Sequence, residues 1–212
     1  MTSAAAKLVR QEMSPLILVV DDDPDIRESL TDMFRSVGLE TAVYASTAEL
    51  LAVELPDRPT CLILDLRLPG SSGLELQREL GERGTRVPII FITGHGDVPT
   101  SVRAMKAGAL DFLPKPFREQ ELLDAVTEAL RRDDERRGDE FERRDLMRRA
   151  EQLTAREIEV LRGVARGLLN KQIAFELGIS EITVKMHRSS AGRKIRTVSV
   201  ADMVRKIELL GL

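Results

Sequence analysis

The run Leu16-Ile17-Leu18-Val19-Val20-Asp21-Asp22-Asp23-Pro24 decides how the first half of this chain folds. Five aliphatic residues without a polar interruption are the pattern of a strand covered on both faces, as in a parallel sheet. Three carboxylates follow at once, and Pro24 stands where a proline suits the first turn of a helix. Two later runs repeat the design: Cys61 to Leu64 ends in Asp65, and Val87 to Ile92 ends in Thr93. Strand ends matter because an open parallel sheet keeps its ligand site outside the carboxyl ends of its strands, where the strand order reverses. One aspartate there, Asp23, is explained as a helix cap. Three in a row repel and raise one another's pKa, a cost that a bound cation removes. Together with Asp65 they offer the oxygen ligands that a hard cation such as Mg²⁺ takes. Lys115 stands between Pro114 and Pro116, where no regular helix can form. It suits a phosphoryl group, as does Thr93 beside the unobstructed Gly94.

Working outward, Ile26, Leu30, Met33, Phe34 and Val37 recur at helical spacing and stop at Gly38. Glu40 to Tyr44 alternates as a weaker strand, and Ser46 can cap a helix reaching Leu55. The loop from Leu68 to Gly73 leads into a helix through Leu80, and a helix around Ser101 to Ala107 stops at Gly108. Asp111 to Leu113 is a short strand, and a last helix begins at Glu119. Five strand–helix units in this order predict right-handed crossovers and a doubly wound, five-stranded parallel α/β sheet over residues 14–130.

The chain has 212 residues, enough for two ordinary domains, and 42% of them are hydrophobic. Aromatics are only 3%, so the packing must be aliphatic. The net charge of -3 hides an asymmetry. Acidic side chains exceed basic ones by eight over residues 1–130, and basic exceed acidic by five over residues 153–212. The basic end points to nucleic acid as its partner. The single cysteine, Cys61, excludes an internal disulfide and reads as a small buried residue. No apolar stretch reaches membrane-spanning length, and residues 1–13 lack the apolar core of a signal peptide, which fits a cytoplasmic protein with no membrane partner. Those first residues read as a disordered tail, with Met13 a candidate start.

Residues 131–152 are almost entirely Arg, Asp and Glu, with balanced charge and no a/d stripe, and predict a solvated helical linker interrupted near Gly138. Residues 153–212 then open on a capping box, Thr154 with Glu157. Helices follow to Ala165, over Asn170 to Leu177, from Glu181 toward Ile195, and over about Val200 to Leu210, making an all-α four-helix domain. The two short helices joined at Gly178-Ile179, the second capped by Ser180, form a helix-turn-helix pattern.

With Asp21, Asp22, Asp65, Thr93 and Lys115 in place, the first half resembles the flavodoxin-like receiver domain of two-component response regulators. The second resembles the LuxR-type helix-turn-helix of the NarL/FixJ class. The tract Thr93-Gly94-His95-Gly96-Asp97-Val98-Pro99 is especially similar to the FixJ branch. The resemblance implies a DNA-binding transcription regulator rather than an enzyme. Asp65 accepts a phosphoryl group from a sensor histidine kinase, and Asp22, Asp65 and the backbone carbonyl of Arg67 hold Mg²⁺, with Asp21 helping through water. Lys115 pairs with the aspartyl phosphate, Thr93 bonds a phosphate oxygen, and Phe112 turns inward as the switch aromatic. Phosphorylation promotes a homodimer through the fourth helix, fifth strand and fifth helix, and the dimer binds double-stranded promoter DNA and meets RNA polymerase. The helix containing Thr183, Lys185, His187, Arg188 and Ser189 enters the major groove, with Asn170 and Lys171 placed for backbone phosphates.

Arg67 and His95 flank the expected path of a water attacking the phosphate. The rival reading is an Mg²⁺-dependent phosphohydrolase with an aspartyl-phosphate intermediate. That chemistry wants a second acid two residues after the nucleophile, where this chain has Arg67. One departure from the resemblance is the run Ser189-Ser190-Ala191-Gly192, where relatives carry large apolar residues. Glycine inside a helix costs roughly 1 kcal/mol relative to alanine, so a shorter or looser third helix is expected.

Overall fold

The computed structural model describes residues 14–94 and 98–212. These divide into two compact units at Arg137/Gly138. In the first unit, five parallel strands form one sheet: β1 (Leu16–Val20), β2 (Glu40–Tyr44), β3 (Thr60–Asp65), β4 (Ile89–Thr93) and β5 (Asp111–Pro114), in the order β2-β1-β3-β4-β5. β1, β3 and β4 are buried along their whole length, as their uninterrupted apolar runs predict. The order reverses between β1 and β3, whose registered ends, Val20 opposite Leu64, deliver Asp21 and Asp65 side by side.

Helices cover both faces: α1 (Pro24–Ser36), α2 (Thr47–Leu51), α3 (Gly73–Glu82), α4 (Val98–Lys106) and α5 (Glu119–Ala150). Alternate strand residues divide the core. Ile17, Val19, Ile63 and Ile90 pack with Leu30 and Phe34 of α1 and Leu122 and Val126 of α5. Leu18, Val20, Leu62 and Phe91 pack with Leu50, Leu76, Leu80 and Ala104 on the other face. α2 ends at Leu51, short of the expected Leu55: it closes on Ala52, and the Val53 N–H turns to the Leu50 carbonyl at 3.3 Å. Where the sequence predicts a loop after β3, Arg67–Leu68 pairs antiparallel with Ser71–Ser72 in a short hairpin. At Gly73 a Cβ would stand 2.5 Å from the Asp65 carbonyl oxygen, so glycine lets the start of α3 press against the end of β3.

α5 differs most from expectation. It runs unbroken through Gly138, and its turns past residue 130 are not simply solvated. Asp133 is fully buried and accepts the Thr60 N–H at 3.0 Å. It also accepts the guanidinium of Arg136 at 2.5 Å and that of Arg137 at 2.6 Å. Arg137 in turn reaches Asp57 at 2.8 Å. Burial, with Asp133 nearby, pushes the Cys61 thiol far above its ordinary pKa, which fits an inert core residue.

The second unit is helical: α6 (Ala155–Ala165), α7 (Asn170–Leu177), α8 (Glu181–Lys194) and α9 (Val200–Leu209). Leu146, at the end of α5, joins a core of Val160, Leu161, Ile173, Val184 and Ile207. The capping box at Thr154 and Glu157 is formed. Contrary to expectation, α8 is neither short nor loose at Gly192, which is buried in the helix's last turn. A Cβ there would lie 2.8 Å from Thr197 Oγ1 and 3.0 Å from Met203 Cε, so the glycine permits a close approach rather than marking a weak spot.

Candidate functional site

The carboxyl ends of β1 and β3 gather Asp21, Asp22 and Asp65, with one carboxylate oxygen from each within 4.8 Å of the others. Asp23 is set apart as the cap of α1, accepting the Asp25 and Ile26 N–H groups. Asp21 is fully buried, and Asp22 is exposed at the mouth. Lys115 Nζ donates to Asp21 Oδ2 at 2.6 Å and to Asp65 Oδ2 at 2.8 Å. The peptide bond before Pro116 is cis, and the Lys115 N–H donates to the Thr93 carbonyl at 2.7 Å, tying the lysine's backbone to the end of β4.

Burial raises the pKa of the Asp21 carboxyl, against the pull of Lys115 and the Asp23 N–H. Burial alone lowers the lysine's, but its bonds to Asp21 and Asp65 outweigh that and hold the ammonium above its ordinary value. Asp65 Oδ1 accepts the Arg67 N–H at 3.0 Å, and its carboxylate keeps some exposure. Three carboxylates with oxygen donors only and one internal cation fit a small hard divalent ion better than a soft one.

Thr93 is buried at the end of β4. Phe112 is half-buried on β5 beside Phe91, with ring centroids 6.4 Å apart. His95 lies outside the described residues. One contact escaped the sequence reading: Arg27 Nη1 donates to the Asp21 carbonyl at 2.6 Å and anchors the acidic turn to α1. An arginine one turn into a helix reads as surface, and nothing in its spacing marks it otherwise.

In the second unit, Asn170, Lys185, Arg188 and Ser189 line one groove of about 570 Å³. Arg188 leans toward Asn170 Oδ1 at 3.4 Å. Lys171 is exposed at the start of α7 and His187 is half-buried on α8, and neither lines the groove. Thr183 is engaged with the Ser180 cap, the two hydroxyls 2.8 Å apart. The sequence reading missed Arg193, Arg196 and Thr197, which share the groove. Arg193 follows Lys185 by eight residues along α8, which keeps it near the same side. Arg196 and Thr197 lie past the helix end, where helical spacing gives no signal. Among the described residues no helix is long and apolar enough to cross a membrane.

Comparison with known proteins matches residues 17–127 to the response regulator receiver domain and residues 151–207 to the bacterial regulatory proteins of the luxR family. The chain is 52% identical to nodulation protein W of Bradyrhizobium diazoefficiens over 197 residues, covering 93% of this chain and 87% of that one. It is 42% identical to the transcriptional regulatory protein FixJ of Azorhizobium caulinodans, covering 92% of each. Among solved structures, response regulator StyR superposes with a TM-score of 0.81 at 46% identity, over 92% of this chain and 99% of that one.

Proposed function

The chain belongs to the response regulators that join a receiver to a LuxR-type DNA-binding domain, and from that premise we propose that Asp65 is its phosphoacceptor and that phosphorylation controls DNA binding. The observation that carries this reading is Lys115 held between Asp21 and Asp65 at the point where the strand order reverses. A phosphohistidine of the partner kinase gives up its N–P bond, and an Asp65 carboxylate oxygen forms the new O–P bond. Such a transfer needs alignment and charge neutralisation more than other covalent help.

Asp21, Asp22, Asp65 and the Arg67 carbonyl are the groups to hold Mg²⁺, which when bound offsets negative charge on the phosphoryl oxygens. Lys115 carries its positive charge to the same place, and the Thr93 hydroxyl accepts the role of donor to the new phosphate. Phe112, between Thr93's neighbourhood and the face of α4, carries the change outward. Exposed Val98, Val102 and Met105, one side of α4, offer the apolar surface on which two phosphorylated receivers pair. The protein acts in the cytoplasm, where a symmetric pair of reading heads meets promoter DNA and RNA polymerase. Arg67 stands where the phosphohydrolase chemistry wants a second acid, which favours the regulator reading over that one.

Acetyl phosphate with Mg²⁺ is the test. Intact-mass measurement should show one added phosphoryl group, absent in Asp65→Asn and absent without Mg²⁺, and light scattering should show the phosphorylated chain moving toward a dimer. A labelled Asp65→Asn protein overturns the assignment.

A further inference from the structure

Among the described residues one non-glycine residue, Arg196, has a positive φ, at 53°. It sits just past α8, in a turn where the Thr197 N–H donates to the Gly192 carbonyl at 2.8 Å and the Arg196 N–H to the Arg193 carbonyl at 3.2 Å. These are the two bonds of a Schellman motif, whose left-handed position favours glycine because a Cβ there is strained. The chain obeys that preference elsewhere: α1, α3, α4, α6, α7 and α9 are each followed by a positive-φ glycine, namely Gly38, Gly84, Gly108, Gly167, Gly178 and Gly211. Only α8 closes on an arginine. Lys206 Nζ, itself bonded to Asp202, donates to the Arg196 carbonyl at 2.7 Å and holds the turn. A strained residue kept where glycine is the easy choice is a pointer to function.

The place of that arginine supplies the function. Lys185, Arg188, Arg193 and Arg196 line one groove along α8. Nine steps at the helical rise separate Lys185 from Lys194, the last residue of α8, roughly 14 Å, and Arg196 follows in the turn beyond it. The major groove is only about 12 Å wide. A helix that reads bases near Lys185 therefore brings Arg196 to the bordering phosphates rather than to the groove floor. An arginine fork suits a phosphate.

We propose that Arg196 is a DNA-phosphate contact, and that its left-handed backbone is retained to aim a cation at the far end of the reading helix. This rests on the DNA-binding reading above and extends it to a residue outside the expected contacts.

The probe is random-sequence duplex DNA, because a phosphate contact is blind to sequence, and the protein is the full chain titrated at several salt concentrations. Arg196→Gln keeps the backbone conformation and removes the charge. It should weaken binding about threefold to tenfold at low salt and lower the log–log salt slope by about one. Arg196→Lys should keep most of the affinity and the slope. Arg196→Gly should bind as weakly as Arg196→Gln yet melt several degrees higher in the second unit, since the strain is gone. A purely structural arginine moves stability without the salt slope. Wild-type slope in both Arg196→Gln and Arg196→Gly overturns the inference while leaving DNA binding intact. Absence of salt-dependent binding by the wild-type chain overturns the DNA-binding reading itself.

Discussion

The acidic pocket at the end of the sheet and the basic groove along α8 are both crowds of like charge, and the molecule handles them in opposite ways. In the pocket, Asp21 and Asp65 are drawn out of water by β1 and β3, and Lys115 bridges them from inside the protein. In the groove, Lys185, Arg193 and Arg196 are exposed and spread by the helical pitch, so water can screen them. The pocket is thus a short-range device whose free energy lies in geometry and desolvation. On the proposed reading the groove is a long-range device, whose free energy lies in the ions it displaces from a polyanion. A signal made of one small dianion needs the first kind of site, and a partner that is a long polyelectrolyte needs the second.

The sharpest way to break this contrast is to remove the bridge. Lys115→Ala leaves Asp21 buried opposite Asp65 with no cation between them. Deleting one partner of a buried pair costs about 4 kcal/mol, so the receiver's urea midpoint at neutral pH without divalent ions should fall accordingly. On the proposed reading Mg²⁺ binds only the folded cluster, so adding it should stabilise Lys115→Ala more than the wild type. Equal stability of the two proteins without Mg²⁺ shows that the pocket, like the groove, relies on solvent to tolerate its charge.

The second unit carries one buried acid of its own, and it tests whether burial alone makes the difference. Glu157 closes the capping box on the Thr154 N–H at 2.8 Å and accepts Lys194 Nζ at 2.7 Å. Burial pushes its carboxyl up, but the bonds from Lys194, the Thr154 backbone and Ser190 outweigh it and hold the pKa at about 2, against an ordinary 4.5. A folded pKa below the unfolded one means stability that is full above pH 4.5 and lost as pH falls toward 2. The amount is about 3 kcal/mol. Thermal melts of the wild type should show this acid loss, and Glu157→Gln should be weaker at neutral pH and lose less across the same window, its remaining acid loss coming from other carboxylates held low, Asp202 among them. Parallel pH profiles for the two proteins place the source of acid sensitivity elsewhere.

The two regions were unequally legible in the sequence. The pocket could be read because it hangs on buried strands, and an unbroken apolar run announces both the strand and the residue at its end. Asp21, Asp65, Thr93 and Lys115 all follow such runs or sit between prolines. The groove was half legible: Lys185 and Arg188 stand in a capped helix, whereas Arg196 lies beyond its end, where sequence patterns assign a turn and no role. Asp133 was illegible for a third reason. Inside a tract of Arg and Glu an aspartate reads as solvated, and only the tertiary approach of Thr60, at the start of β3, marks it as buried. The same tract hid the continuity of α5, because Gly138 looks like a break until the strong helix formers around it carry the helix through.

Gly192, on the floor of the groove, gives the smallest effect and the finest test. Helix propensity alone predicts that Gly192→Ala, in the last turn of α8, gains at most about 1 kcal/mol. Packing opposes it. Met203 Cε, 3.0 Å from the new methyl, is the end of a flexible side chain and can move aside. Thr197 Oγ1, at 2.8 Å, cannot, because its hydroxyl donates to the Gly192 carbonyl at 3.3 Å and its own N–H to the same carbonyl at 2.8 Å. Overpacking of this kind costs about 1–3 kcal/mol, so the net change should be a loss of about 1 kcal/mol. Thr197→Ala removes the obstructing oxygen, and in that background Gly192→Ala should turn neutral or stabilising. The coupling between the two sites in a double-mutant cycle should then be about 1–2 kcal/mol. If Gly192→Ala stabilises the protein with Thr197 present, the groove floor has slack. Its basic side chains would then be held only by the helix that carries them, and the close approach at Gly192 would have no part in shaping the surface that meets DNA.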